Sequence, residues 1–134
     1  VSAAFDTNVL IRLLIEEEPE QSAAVNDFIT AQRNSGEPIH ILLGVLLETE
    51  WVLRSRYLIA KEDIVEIYTA LLESTDATIE DTRAFEEALF NWRETPGTDF
   101  TDALLCARAW SLGIERFVTF DKRAARLPHA ELLG

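Results

Sequence analysis

Apolar and polar positions alternate along the chain in a way that predicts short strands followed by helices. Ser2-Ala3-Ala4-Phe5 is a brief apolar run expected as a buried strand. Asp6-Thr7-Asn8 then supplies helix-start chemistry for a helix continuing from Val9 to Ile15. Pro19 suits the first turn of a second helix, which runs through Ala23, Ala24, Phe28 and Ile29 to a stop at Gly36. Ile39-His40-Ile41 reads as a strand, Val45 to Arg56 as a helix, and Lys61 to Leu72 as another with Ile64, Ile67, Tyr68 and Leu71 on one face. Ala77-Thr78-Ile79 is the next strand. Thr82 to Arg93 is helical along a stripe of Phe85, Ala88, Leu89 and Trp92, and Phe100 to Leu112 is helical up to Gly113. Arg116 to Phe120 reads as a strand, Asp121 to Arg126 as a short helix and Glu131-Leu132-Leu133 as a last strand. The pattern is that of the α/β class with a short, mostly parallel sheet. The breaker clusters Asn34 to Pro38 and Thr95 to Thr98 read as loops inside a single domain spanning 1–134.

Composition narrows the picture. With 134 residues, 48% of them apolar, one packed domain is expected. The longest apolar run, Ile41 to Leu47, stops at Glu48, well short of a membrane span, and no basic-then-apolar leader opens the chain. The lone Cys106 has no internal disulfide partner, and no Cys/His set has zinc spacing, so a reducing, cytoplasmic setting is expected. Twelve Lys plus Arg against 24 Asp plus Glu leave a formal charge of −12. Alone, that opposes binding to a phosphate backbone. Divalent cations bridging carboxylates to phosphate would remove the objection, and a basic protein partner would exploit the charge instead.

Several of the acids stand at element starts. In a parallel α/β sheet, residues just past the carboxyl ends of strands line one crevice. Asp6 and Asp121 each follow a strand directly, and they meet at one edge if their strands are neighbours. Taken singly, each reads first as a helix N-cap. Asp99-Phe100-Thr101-Asp102 has the form of a capping box, but it also puts Asp102 on a first helical turn aimed at the crevice while Leu104, Leu105 and Ala109 pack the core. Glu48 and Glu50 share an apolar helix, separated by about 200° of rotation. Periodicity does not choose between them, and the apolar neighbours slightly favour Glu48 as the partly buried acid. Gathered carboxylates repel one another. A hard divalent ion relieves that cost and supplies what phosphodiester hydrolysis needs: a polarised phosphoryl oxygen, an activated water and a steadied leaving oxygen. His40 and His129 lie in no metal or acid–base motif, and Cys106 reads as core.

Phe5-Asp6-Thr7-Asn8-Val9-Leu10, Val45 to Leu53, Asp99 to Leu105 and Val118-Thr119-Phe120-Asp121 occur in that order and resemble the blocks of PIN-domain nucleases, specifically VapC-type toxins of bacterial toxin–antitoxin pairs. The resemblance runs from about residue 3 to about residue 127. It implies a three-layer α/β/α sandwich around a short parallel sheet, and Mg²⁺- or Mn²⁺-dependent endoribonuclease activity. It further implies an acidic set of Asp6, Glu48, Asp102 and Asp121, with Asp99 as an additional metal-side acid and Asn8 and Thr119 as polar neighbours. The spacing to Trp51-Val52-Leu53 favours Glu48 over Glu50. The partners it implies are RNA, a second copy of the chain, and a small antitoxin presenting a basic segment.

Two other readings compete. A receiver-like, Mg²⁺-binding regulatory domain needs paired acids after the first strand, where Asp6 stands alone, and a separate lysine near the end, where Lys122 directly follows Asp121. A PIN-like fold serving as a non-catalytic interaction module would not need all four acids. A phosphatase of the haloacid dehalogenase type wants Asp-x-Asp after the first strand, and residue 8 is Asn.

Overall fold

The computed structural model describes residues Val1–Gly134 and is α/β, with every strand pairing parallel. Its contacts gather into two compact units, Val1–Glu80 and Asp81–Gly134.

The first unit runs β1 (Ala3–Ala4), α1 (Thr7–Leu14), α2 (Pro19–Ser35), β2 (Ile39–Ile41), α3 (Leu43–Ser55), α4 (Lys61–Glu73) and β3 (Ala77–Ile79). The sheet order is β1-β2-β3, with Ala4 opposite His40 and His40 opposite Thr78. Because the three strands are parallel, their carboxyl ends share one edge, and α1 and α3 begin there. The start of α1 follows from local chemistry: Asp6 Oδ1 accepts from the Val9 amide at 2.9 Å, as an N-cap does. The start of α3 does not. Leu42 offers no capping side chain, and Glu80, directly after β3, supplies one by accepting from the Leu43 amide at 2.8 Å. Gly36, at φ 72°, closes α2 in the left-handed region that favours glycine.

Leu10, Leu46, Leu53, Ile64 and Tyr68 are fully buried in this unit, and the Tyr68 hydroxyl donates to the Leu46 carbonyl at 2.7 Å. A buried phenol keeps its hydrogen bond, and that bond ties α4 to α3. The α4 stripe is as expected, with Ile64, Tyr68 and Leu71 inside and Ile67 half-buried. On α2 the buried side is Ser22, Val25 and Ile29, whereas Ala23, Ala24 and Phe28 are exposed.

The second unit runs α5 (Thr82–Glu94), α6 (Phe100–Ser111), β4 (Phe117–Thr119), a 3₁₀ turn (Ala124–Arg126) and β5 (Ala130–Leu132), with β4 and β5 in parallel. The helix expected over Asp121 to Arg126 contracts to that turn. Helices α5 and α6 form an αα-hairpin around Phe85, Ala88, Leu89 and Trp92 from one and Phe100, Ala103, Leu104, Cys106 and Ala107 from the other. Trp92 and Phe100 meet edge-on at 5.3 Å between ring centroids, and the Trp92 indole donates to the Thr98 carbonyl, fixing the loop before α6. Two expectations are corrected. Leu105 is 43% exposed and Ala109 only half-buried, because the inward face of α6 is set by Ala103, Leu104 and Ala107. Asp99 occupies the N-cap position without a side-chain cap bond, so the capping box does not form.

Asp81 anchors the other end of the hairpin. Its Oδ1 caps α5 at the Ala84 amide, and its Oδ2 accepts from Arg108 Nη1 at 2.9 Å and Ser111 Oγ at 2.5 Å, both from the end of α6. Burial pushes its carboxyl up, but the hydrogen bonds from Ser111, Ala84 and Arg108 outweigh burial and hold it below the ordinary value of 3.8. A depressed folded-state value gives stability that is present in full above the unfolded carboxylate range and is lost as pH falls through the folded value. Asp81→Asn is therefore expected to lower the melting temperature at neutral pH, by a loss of about 1 kcal/mol from the cap and its partners. The gap to wild type should narrow below about pH 4. Thermal melts across pH 2–7 check it; a gap that stays constant down to the acid limit counts against the anchor.

Candidate active site

In the second unit Asp102 lies within electrostatic reach of two other expected acids, Asp99 and Asp121. Asp99 sits just before α6, Asp102 lies on its first turn, and Asp121 follows β4. The Asp102 carboxyl is raised above its ordinary range, first by burial and then by the negative charges of Asp99 and Asp121. Asp102 is thus near enough to each of the two for repulsion to register.

Asp121 is held by its own backbone. Its amide donates to Thr119 Oγ1 at 3.0 Å, and its Oδ1 accepts from the amides of Arg123 at 2.7 Å and Ala124 at 3.2 Å. Thr119 is pinned in turn by its carbonyl, which accepts from the Leu133 amide at 2.8 Å. Capping occupies one oxygen of Asp121 and leaves Oδ2 without a hydrogen bond, so capping and ligand binding do not exclude each other. The same holds for Asp6, which caps α1 through Oδ1 alone.

In the first unit, Asp6 and Asn8 are exposed at the start of α1, which packs against α3, and Glu48 is exposed on α3. The expectation that Glu48 is the partly buried acid is overturned. Glu50 is 1% exposed and Glu48 lies on the open side. Glu50 shares the face of Leu46 and Leu53 and remains paired because Arg54, one turn on, donates Nε to its Oε2 at 2.9 Å. Burial and pairing commit Glu50 to the core. Glu48 is the acid of this pair that a ligand can reach.

Sequence reasoning passed over Glu80. It follows β3 directly, as Asp6 and Asp121 come two residues past β1 and β4, and an acid at a strand's carboxyl end was the available signal. Its role is to cap α3, the helix that carries Glu48. Neither histidine joins the acids: His40 is half-buried within β2, and the His129 ring lies parallel to Trp110 at 3.6 Å. Cys106 is buried, with Sγ donating to the Pro128 carbonyl, and its thiol is pushed up to about 11, first by burial and then by Glu87 and Asp102.

The donor set is all oxygen, which fits a hard divalent ion. No three Asp, Glu, His or Cys side chains converge tightly enough to cage one.

The PIN domain profile matches residues 3–130. The chain belongs to the PIN-domain family. A VapC ribonuclease of Aquifex aeolicus (strain VF5) is 29% identical over 122 residues, covering 91% of this PIN domain and 89% of that relative. The resemblance carried by the four sequence blocks is thereby upheld, and so is the α/β class with short parallel strands that it implies.

A carboxyl raised in the folded state is disfavoured in its charged form. It weakens the fold above that raised value, and the penalty fades as pH falls through it. In this PIN domain, Asp102→Asn should raise the melting temperature in chelator at neutral pH, with the gain shrinking toward acid pH. Paired thermal melts test it; a variant melting below wild type at neutral pH would show that the three acids do not strain the unit.

Proposed function

We propose that this PIN domain is a metal-dependent endoribonuclease, the toxin of a toxin–antitoxin pair, working as one domain over residues 1–134. The observation that carries the reading is the group of Asp99, Asp102 and Asp121, with the Asp102 carboxyl raised by burial and by its two neighbours, inside a chain matched to the PIN family over residues 3–130. The named VapC ribonuclease relative supports the choice of RNA.

Asp102 and Asp121, with Asp99 beside them, are the second unit's metal ligands in this reading; Asp6 and Glu48 are further ligands, taken from the family resemblance. A bound Mg²⁺ or Mn²⁺ would polarise a phosphoryl oxygen, make water a better nucleophile and stabilise the leaving oxygen. The protein's share is to hold Asp6 and Asp121 in place through backbone amides, to orient the attacking water, and to take its proton on a carboxylate oxygen. Thr119 acts through Asp121, whose amide it fixes. Asn8, exposed two residues past Asp6, is a candidate to hydrogen-bond the substrate. No covalent intermediate is required, because the buried, high-pKa Cys106 thiol is no nucleophile.

With a charge of −12, the chain suits an antitoxin that presents a basic segment. A homodimer and a cytoplasmic location complete the reading. No helix is long and apolar enough to cross a membrane.

The test is cleavage of single-stranded RNA by wild type and Asp6→Asn, each with Mg²⁺ and with EDTA. Wild type in Mg²⁺ should cleave at least about 100-fold faster than the other three conditions, a loss no smaller than that from disturbing a metal site's outer partners. Mg²⁺ or Mn²⁺ should also raise the wild-type melting temperature more than that of Asp102→Asn. Equal cleavage in all four conditions defeats the proposal.

A further inference from the structure

Beside the three acids of the second unit stands a feature that metal chemistry does not use. Phe120, between Thr119 and Asp121, is 78% exposed. A single exposed apolar side chain is ordinary on a protein surface. Phe120 differs in its backbone and in its neighbours.

Its backbone is locked on both sides. The Asp121 amide donates to Thr119 Oγ1, the Ala125 amide donates to the Asp121 carbonyl at 3.0 Å, and Asp121 Oδ1 takes two further amides. The ring therefore projects from a rigid turn, so little backbone order is lost when something stacks on it.

Its neighbours are cations. Lys122, Arg123 and Arg126 follow within six residues, a quarter of the chain's 12 Lys and Arg. Arg126 donates to the Pro96 carbonyl and clamps the loop before Asp99. A Cβ built on Gly97 would lie 3.7 Å from Arg123 Cδ, so the Arg123 stem crosses that loop two residues from Asp99. The Arg123 head is exposed and meets no carboxylate. In a chain this acidic, an exposed aromatic flanked by free cations at the rim of a carboxylate group has the make-up of a single-strand grip: a ring for a base and a cation for a phosphate.

We propose that Phe120 stacks on a nucleobase flanking the scissile phosphate and that Arg123 pairs with an adjacent phosphate, so that cleavage requires single-stranded RNA at this point. The inference rests on the ribonuclease reading and names residues that hold the substrate of that same site. It explains how a chain of charge −12 retains a polyanion: the non-electrostatic part of the grip is a stacked ring. Stacking needs an unpaired base, so duplex RNA is excluded by Phe120 and not by the acids.

The experiment uses the full chain carrying Asp102→Asn, which binds without turnover, and a short fluorescein-labelled single-stranded RNA of randomised sequence, read by anisotropy in Mg²⁺. Phe120→Ala should raise Kd by about 5- to 100-fold, Phe120→Tyr should stay within about twofold of the parent, and Phe120→Leu should behave like alanine. The slope of log K against log salt should not change for Phe120→Ala and should shrink by about 0.7 for Arg123→Ala, one phosphate contact on a single strand. Melting temperatures report folding separately, and an exposed side chain should leave them unchanged. If Phe120→Leu binds as tightly as the parent, or Phe120→Ala weakens duplex RNA as much as single strands, stacking is overturned. If wild type cleaves RNA in Mg²⁺ and Phe120→Ala binds within about twofold of the parent, this inference falls while the ribonuclease reading stands. If wild type neither binds nor cleaves RNA, the ribonuclease reading falls and takes the grip with it.

Discussion

Burial of Asp102 beside the like charges of Asp99 and Asp121 is the constraint on which the second unit's proposed site depends. Burial first, and then the negative charges of Asp99 and Asp121, raise the Asp102 carboxyl, so its ionised form is a cost to the fold. The cost persists because the framework around them is bound independently of it. Asp121 is tied into its turn by three backbone or hydroxyl contacts, Asp102 rides on a helix whose inner face is buried, and the loop before Asp99 is fixed by Trp92 and Arg126. Strain stored at a site and offset by surrounding packing is a common mark of function.

That framework is an αα-hairpin closed at both ends. At one end Trp92 packs on Phe100 and bonds Thr98; at the other, Asp81 joins the start of α5 to the last turn of α6 through Arg108 and Ser111. Two acids of this unit, one lowered and one raised, therefore do opposite work. Asp81 is surrounded by donors and holds the helices together, whereas Asp102 is part-buried and faces two charges of its own sign.

A similar division appears on α3. Glu48 and Glu50 are two residues apart, and a helix puts them on different faces. The inward one is neutralised by Arg54 and belongs to the core; the outward one is available. Glu80 completes the arrangement by capping α3 across the sheet from β3. Each acid's role follows from what surrounds it and not from its residue type.

The sequence by itself determined most of the elements. The helix starts at Asp6 and Pro19, the stops at Gly36 and Gly113 and the stripe Phe85-Ala88-Leu89-Trp92 act over a few residues, so they are legible locally, and the α/β class follows from their order. The ordered acidic blocks were likewise enough to bring the PIN family into view. Only tertiary structure decided which side chains share a neighbourhood and which face of each helix turns inward. It buried Glu50 in place of Glu48, turned Leu105 outward, withheld the cap from Asp99 and gave Glu80 a helix to cap. The reason is physical: periodicity reports that a helix has an apolar side, but burial and charge pairing depend on residues far away in the chain, which a local pattern does not contain.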